Sequence, residues 1–289
     1  MKVAVMTDGN SGISSREAKE NGIFLMRMPV IIDGEDYFEE ENLTQEFFFE
    51  SLNVGRDVTT SQPSPGEVMD MWDDIFTKGY DEIVYIPMSS GLSNSCECAQ
   101  GLSMDFDGRV CVVDNHRISV TQRQSVFDAI YLTRQGKSAS EIKQILEKTA
   151  YESSIYIAVN TLEYLKKSGR VTAAGAALGT ILNIKPLLTI QGGKLDAYAK
   201  VRGIHKCEAK VIEAIQHDIE TRFSDVPKEQ LIIGTAGTLL NDADAKAWEQ
   251  TIRNAFPDIE VYYDQLSLSI GGHVGPDAIG IGISVKVSL

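Results

Sequence analysis

Two hydroxyl-rich turns follow apolar, strand-like stretches in the first half of the chain. In the first turn, Thr60 and Ser61 precede a helix start at which Ser64 already has the capping position. In the second, Ser93 belongs to the segment Ser89–Ser95, which follows a buried strand and opens the next helix. Free N–H groups at a helix start, together with hydroxyl donors, suit an anion such as a carboxylate. Helix capping alone explains each turn equally well, but two such turns in one parallel sheet favour a shared anion site.

A glycine-rich loop near the C-terminus carries a histidine that could join such a site. His273 lies within Ser269–Asp277, among glycines that let a ligand approach the backbone closely. A solvent-facing histidine in a plain turn is the alternative interpretation. A histidine and serines together also raise the hypothesis of an acyl ester hydrolase, with Ser93 or Ser61 as the nucleophile. The chain lacks the G-x-S-x-G elbow of α/β-hydrolases, which argues against that hypothesis.

Positive charge is concentrated in one segment of an otherwise acidic chain. Residues 166–210 contain nine Lys or Arg and two acids, a net charge of +7 (9 − 2), whereas the whole chain carries −14. Lys166, Lys167 and Arg170 stand at the end of a predicted helix. Lysines at that position can simply complement the helix dipole. The excess of positive charge in this segment of an acidic chain nevertheless indicates a surface that binds an anionic ligand or an acidic partner.

Composition and missing motifs disfavour several classes of function. A net charge of −14 argues against binding to nucleic acids or anionic membranes. No stretch reaches the ~20 apolar residues of a membrane span, and the N-terminus does not resemble a signal peptide. We therefore expect a cytoplasmic protein without stable membrane insertion. The four cysteines have no metal-ligand spacing, and glycine motifs for nucleotides are absent, so neither a metal nor a cofactor is expected.

The elements that must position these residues alternate between strands and helices. Residues 1–150 predict an α/β domain with a parallel sheet, and residues 151–289 predict a second α/β domain with a mixed sheet. The main strands are predicted at 2–6, 82–88, 110–114, 155–160, 186–190, 195–200, 231–235, 259–265 and 278–285. A helix is also predicted over 172–182, directly after the basic helix end. The expected fold is a two-domain α/β protein.

In order along the whole chain, these stretches resemble the DegV family, the fatty-acid-binding FakB proteins. The segments that carry the resemblance are a strand ending in Thr7–Asp8, TTSQPSPGE at 59–67, SSGLSNS at 89–95, TLEYLKKSGRV at 161–171, NIKPLL at 183–188 and GGHVGP at 271–276. Each piece is short, but the ordered set is specific. The resemblance implies that the two domains enclose one acyl chain in a pocket near their interface.

The resemblance also implies a function in which the protein is not a stand-alone enzyme. It would bind a long-chain fatty acid and present the carboxylate to a separate FakA-like fatty acid kinase, which forms the acyl phosphate used in phospholipid synthesis. Arg170 matches the family's arginine near the kinase-facing surface. Together with Lys166 and Lys167, it is expected to contact the transferring phosphate or the kinase.

The fatty-acid carboxylate is expected at four residues matched by motif. These are Thr60, Ser61, Ser93 and His273, with Ser61 slightly favoured over Thr60. The chemistry agrees with this assignment, because a buried carboxylate must be hydrogen-bonded. Neutral hydroxyl donors can hold it without a full salt bridge, so its oxygens stay available to a phosphoryl donor.

Three segments depart from the family pattern at the rim of the pocket. The family's TDST turn is here Thr7-Asp-Gly-Asn10, its SGTYQSA is 93–99, and its glycine-containing segment appears at 115–124 without glycine. These departures leave open the length of the acyl chain and the identity of the ligand. A binder or sensor of another amphiphilic lipid is therefore a further alternative.

Overall fold

Strands and helices alternate through residues 2–178, 184–239 and 241–288, which the computed structural model describes. The strands are Val3–Asp8 (β1), Ile23–Met26 (β2), Val30–Ile32 (β3), Glu35–Tyr37 (β4), Val58–Thr60 (β5), Glu82–Ile86 (β6), Val110–Val112 (β7), Ser153–Ala158 (β8), Ile184–Ile190 (β9), Asp196–Arg202 (β10), Leu231–Gly237 (β11), Glu260–Gln265 (β12) and Ile279–Val285 (β13). The helices are Ser15–Asn21 (α1), Gln45–Asn53 (α2), Pro65–Thr77 (α3), Ser95–Ser103 (α4), Ser119–Arg134 (α5), Ala139–Lys148 (α6), Glu163–Ser168 (α7), Ala173–Ala176 (α8), Ile204–Thr221 (α9), Asp242–Ala255 (α10) and Leu268–Val274 (α11). This α/β architecture, with two domains, is the one that the sequence predicts.

A parallel sheet forms the centre of the first half of the chain. Its strand order is β2-β1-β6-β7, and each neighbouring pair is parallel. Strands such as β6, with four consecutive buried residues at Ile83–Ile86, are covered on both faces, as continuous apolar runs in parallel sheets are. The loops that carry Asn10 and Ser93 leave this sheet at the carboxyl ends of β1 and β6.

A mixed sheet forms the centre of the second half. Its order is β10-β9-β8-β13-β11-β12, in which β11 pairs with β12 in parallel and the other neighbours are antiparallel. The apolar faces of α9 and α10 cover one side, around Trp248 and Ile215. The mixed sheet is confirmed, whereas the division of the chain at residues 150 and 151 stays a prediction.

A small third sheet, β4-β3-β5, lies outside the two central sheets. It packs with α2 and α11 in one apolar cluster that includes Phe48, Phe49, Val30 and Leu268. The sequence alone predicts neither β5 nor its pairing with β3, because three residues are too short for a periodic pattern. The pairing holds Thr60 opposite Val30 and fixes the direction in which the first hydroxyl turn leaves the sheet.

Helix α5 lies between the two main sheets. It contacts β1 and β6 on one side and β8, β11 and β13 on the other. Glycines at 234 and 282 allow this approach, since a Cβ at either position would come within 2.6 Å of a Val120 side-chain atom. The N-terminus of α5 is thereby placed at the interface of the two domains.

Two predicted elements differ from the structure. The helix expected over 172–182 is present as α8, Ala173–Ala176, while residues 179–182 lie outside the described part of the chain. The segment expected to be a loop around His273 is the helix α11. Among the helices in the described ranges, none combines the length and the apolar character that crossing a membrane requires.

Candidate functional site

The histidine of the glycine-rich segment lies on helix α11, so the expectation of a loop there is wrong. Two groups satisfy the free N–H groups of its first turn. The Ser267 hydroxyl accepts from the N–H of Ile270, and the Glu39 carboxylate accepts from the N–H of Leu268 at 2.9 Å. Glu39 is remote in sequence, so a local reading of glycines could not reveal this cap.

Two adjacent glycines let α11 lie close to the small sheet and to α2. A Cβ on Gly271 would stand 3.3 Å from a Phe48 ring carbon, and one on Gly272 would stand 3.7 Å from the Thr60 methyl group. The absence of a side chain at Gly271 therefore lets α11 pack tightly against Phe48 of α2, while Gly272 faces the Thr60 methyl group at ordinary contact distance. As a result, His273 comes within hydrogen-bonding distance of Thr60, although 213 residues separate them.

Thr60 and His273 form a hydrogen-bonded pair in which Oγ1 and Nε2 are 2.9 Å apart. The other ring nitrogen, Nδ1, is buried and has no hydrogen-bond partner among the described residues. A buried N–H without an acceptor is less common than an unpaired acceptor, which favours the tautomer with the proton on Nε2. In that tautomer His273 donates to Thr60, and the Thr60 O–H is free to donate to a ligand.

His273 is neutral at physiological pH. Burial, and to a smaller extent the positive charge of Arg170, lowers its pKa to about 4. The ring therefore orients the Thr60 hydroxyl as a neutral hydrogen-bond donor. Arg170 brings a positive charge close enough to this pair to act on the pKa of His273.

The other predicted head-group residues surround the same pair. The Ser93 hydroxyl accepts from the N–H of Ser95, so its own O–H remains able to donate. The Ser61 hydroxyl is exposed and donates to the carbonyl of Gln62 at 3.1 Å. This arrangement favours Thr60 and Ser93 over Ser61 as donors to a carboxylate.

Arg170 follows the end of α7, where Gly169 adopts the left-handed conformation that ends the helix. Its guanidinium donates to the carbonyl of Ser168 at 2.6 Å and to that of Leu92 at 3.4 Å. The second contact joins it to the loop that carries Ser93. Arg170 is half-buried and therefore belongs to the wall of the site as well as to its rim.

One cavity unites Thr60, Ser61, Ser93, Arg170 and His273. The space between its walls is about 910 Å³, a volume that includes the open mouth. Beyond the polar group the walls are mainly apolar and come from both domains, among them Met28, Leu92, Ile118, Ile157, Ile190 and Leu266. The site thus has a polar end and an apolar interior, as an amphiphile requires.

A surface groove adjoins the polar end of this cavity. It shares Thr60, Arg170 and His273 with the cavity and also includes Arg56 and Lys167. Lys167 forms an exposed ion pair of 2.8 Å with Asp57. Lys166 is exposed on α7 and borders neither space among the residues described for them.

The geometry does not assemble the catalytic group of a serine hydrolase. The hydroxyl on His273 Nε2 is that of Thr60, not of Ser93 or Ser61. Its Nδ1 lacks the carboxylate partner that orients the base in catalytic triads, among the described residues. The arrangement is therefore suited to holding a carboxylate by hydrogen bonds and not to activating a nucleophile.

Four polar residues that line the cavity are missing from the sequence-based set, namely Asn10, Gln62, Ser119 and Ser269. Asn10 follows β1 in the turn that Asp8 anchors, and Ser269 lies one helical turn before His273 on α11. Reading 268–274 as a helix would have placed Ser269 and His273 on one face, since residues four apart are neighbours. No local signal in the sequence indicates that Asn10 faces the cavity.

A second, more polar pocket lies behind Met28 and Ser269. Two carboxyl groups in it are poorly solvated. Burial raises the pKa of Asp264 to about 8 and that of Glu39 to about 7. Asp264 lies against the backbone of Gly12, and its Oδ2 has no hydrogen bond among the described residues. At neutral pH the Asp264 carboxyl is therefore largely protonated.

We expect Asp264→Asn to stabilise the protein increasingly as the pH rises from 6 to 9. The folded pKa of about 8 exceeds the ordinary value of 3.8. The stability that this group contributes is therefore complete at low pH and is lost as the pH rises through 8. Asparagine does not ionise, so between pH 6 and 9 the free energy of unfolding of the variant should rise by roughly 1–3 kcal/mol relative to that of the parent. Thermal unfolding at several pH values measures the gain, and exposed Asp105→Asn is the control. A pH-independent difference would contradict the prediction.

A family model described as "Uncharacterised protein, DegV family" matches residues 2–286. A DegV domain-containing protein of Deinococcus radiodurans is 28% identical over 288 residues, and the match covers 98% of each chain. Another, from Caldanaerobacter subterraneus, is 29% identical over 287 residues and covers 99% of each.

Solved structures of similar proteins have the same fold. A DegV family protein from Thermus thermophilus, described with its fatty acid binding, has a TM-score of 0.88 and 26% identity. The match covers 99% of this chain and 100% of that one. A DegV lipid-binding protein from Thermotoga maritima has a TM-score of 0.81 and 25% identity, with 99% of each chain covered.

Proposed function

The chain belongs to the DegV family, and on that premise we propose that it binds one long-chain fatty acid and presents the carboxylate to a separate, FakA-like fatty acid kinase. The observation that carries the proposal is the cavity with a polar end and an apolar interior. The similar protein from Thermus thermophilus is described as binding a fatty acid. The proposal concerns binding and presentation, without catalysis by this chain alone.

The apolar interior supplies the affinity for the acyl chain. Burial of each CH₂ group contributes about 0.8 kcal/mol. A sixteen-carbon chain therefore contributes on the order of 10 kcal/mol of transfer free energy, before the costs of association. That free energy is large enough for the ligand to remain bound during purification.

The polar end supplies donors for the carboxylate. The Thr60 and Ser93 hydroxyls each have a hydrogen free to donate, and Ser61 stands beside them. Hydrogen bonds to an ionised acceptor are about twice as strong as neutral ones. Arg170 adds a positive charge at the same end. We propose that Thr60, Ser93 and His273 carry the head-group site, with Ser61 in a lesser role.

The adjoining groove supports access by a phosphoryl donor. It meets the cavity at Thr60, Arg170 and His273, where the carboxylate would lie. Its cationic side chains include Lys167, whose ion pair with Asp57 is exposed and therefore weak. Such a pair can exchange its carboxylate for a phosphate or for an acidic residue of the kinase at little cost.

The protein purified from a bacterial host should contain about one fatty acid per chain. Organic extraction followed by mass spectrometry identifies the acid and its stoichiometry. Delipidated protein should then take up added hexadecanoate or octadecenoate. Absence of lipid in the extract, together with no uptake of either acid, would overturn the proposed function.

Lys166→Glu should weaken the action of the kinase without weakening fatty-acid binding. Lys166 is exposed on α7, the helix whose next residue Lys167 borders the groove, and reversing a charge at an interface rim mainly lowers the association rate. Acyl-phosphate formation with the kinase and ATP should fall about tenfold at low salt, and the defect should shrink at high salt. Lys148→Glu is the control, because this exposed lysine of α6 is not among the residues described for the cavity or the groove. Equal turnover by the parent and Lys166→Glu at low salt would contradict the assignment of this face.

Arg170→Ala should lower acyl-phosphate formation more than it lowers fatty-acid binding. Arg170 borders both the cavity and the groove, so it can contact the carboxylate and the transferring phosphate. Lipid loading and turnover must be measured on the same preparation. Parallel losses in both would assign Arg170 to the head-group site alone.

A further inference from the structure

The buried amide of Asn10 forms part of the wall of the acyl cavity. Asp8 fixes its place, because the Asp8 carboxylate accepts from the backbone N–H of Asn10 and from that of Met88. The turns after β1 and β6 are therefore locked together. Asn10 is only 2% exposed, and Met88 borders the cavity beside it.

The two ends of the Asn10 amide are unequally satisfied. Its oxygen accepts from two hydroxyls, those of Ser267 and Ser269. These two donors fix the orientation of the amide. The hydrogen bond of its nitrogen, within the described part of the chain, is to the Met88 sulfur at 2.9 Å. A thioether is a weak acceptor, so a buried N–H₂ group on the cavity wall has no strong hydrogen-bond acceptor among the described residues.

This polar spot lies near the head-group end of the cavity. Ser269 and His273 both border the cavity and are four residues apart on α11. Side chains with this spacing are about 5–6 Å apart on one helix face. The Asn10 amide, which binds Ser269, is therefore about one helical turn from the group that would hold the carboxylate.

We propose that this cavity is adapted to an acyl chain that carries a hydroxyl group close to its carboxylate. The proposal rests on the proposed fatty-acid binding and specifies its ligand class. The ligand oxygen accepts from the Asn10 amide nitrogen, and its hydrogen is donated to the Ser269 oxygen, whose own hydrogen goes to Asn10 Oδ1. Met88 is flexible enough to move aside. When the bound acyl chain has no hydroxyl group, the Asn10 amide nitrogen keeps only the Met88 thioether as its partner.

The first test compares sixteen-carbon acids that differ only in the position of one hydroxyl. Delipidated full-length protein is titrated with hexadecanoate and with its 2-, 3-, 12- and 16-hydroxy derivatives. The 2- or 3-hydroxy acid should bind about tenfold or more tightly than the 12- and 16-hydroxy acids, which bury an unpaired hydroxyl. Equal affinities for all hydroxyl positions would overturn the proposal while leaving fatty-acid binding intact. Failure of every acid to bind, hexadecanoate included, would instead overturn the proposed function.

The second test uses the ratio of two affinities, which a general loss of stability does not change. In Asn10→Leu the affinity for the preferred hydroxy acid, relative to hexadecanoate, should fall about tenfold. Met88→Leu keeps the volume but removes the sulfur, so it should retain or increase the preference. If Asn10→Leu lowers both affinities equally, Asn10 only ties the two turns together and the proposal fails. If Asn10→Leu does not fold, the proposal is judged by the affinities of the parent protein for the hydroxy acids of the first test.

Discussion

Gly280→Leu should abolish most of the affinity for sixteen-carbon fatty acids. Gly280 lies in β13 on the wall of the cavity, where a Cβ would point toward Ile157, another wall residue, at 3.7 Å. A leucine there fills space for about three or four chain carbons. At about 0.8 kcal/mol for each CH₂ group, the loss is about 3 kcal/mol, or roughly 100-fold in Kd. Titration with hexadecanoate measures it.

Two comparisons separate a filled cavity from a disturbed fold. Gly280→Ala adds only a Cβ, whose nearest neighbours would be at ordinary contact distances of 3.6 Å or more, so it should bind nearly as the parent does. Shorter acids should lose less affinity in Gly280→Leu than hexadecanoate loses. If Gly280→Leu remains folded by thermal unfolding and binds hexadecanoate like the parent, the tail does not use this part of the cavity.

Thr60→Val should weaken fatty-acid binding by about 1–3 kcal/mol, or roughly 5- to 150-fold in Kd. Valine keeps the branched shape that suits β5 but removes the hydroxyl. The carboxylate then loses a charge-assisted hydrogen bond, and His273 Nε2 loses its partner. Titration with the same fatty acid on delipidated protein gives the difference.

The hydroxyl itself is tested by restoring it. Thr60→Ser keeps the donor and should retain most of the affinity. Ser61→Ala should cost less than Thr60→Val, because the Ser61 hydroxyl already donates to the Gln62 carbonyl. If Ser61→Ala weakens binding more than Thr60→Val does, Ser61 is the stronger donor to the carboxylate. That result would agree with the slight preference from the sequence and contradict the ranking inferred from the structure.

The sequence alone determined the architecture of this protein because its signals are local and periodic. The continuous apolar run at Ile83–Ile86 indicates a strand covered on both faces, and the structure places it inside the parallel sheet. The capping box at Ser64 and Glu67 begins α3 as predicted. The ordered family segments identified the family and, with it, the residues of the hydroxyl turns.

Tertiary structure decided which of those residues meet and how. Thr60 and His273 are paired because α11 lies against Phe48 and β5, a contact between distant parts of the chain that the missing Cβ of Gly271 makes possible. The helix itself depends on a cap from Glu39, more than 200 residues away in sequence. Local glycines predict a loop, and only burial of the segment makes it a helix.

The tertiary structure also decided the protonation states and the polar spot of the cavity. Burial beside Arg170 makes His273 neutral, and no motif encodes the solvation of a side chain. Asn10 faces the cavity because Asp8 joins the turns after β1 and β6, two strands that are neighbours only in the folded sheet. Residue types and order specify the fold and the family, whereas distances between remote side chains and their exclusion from water define the site.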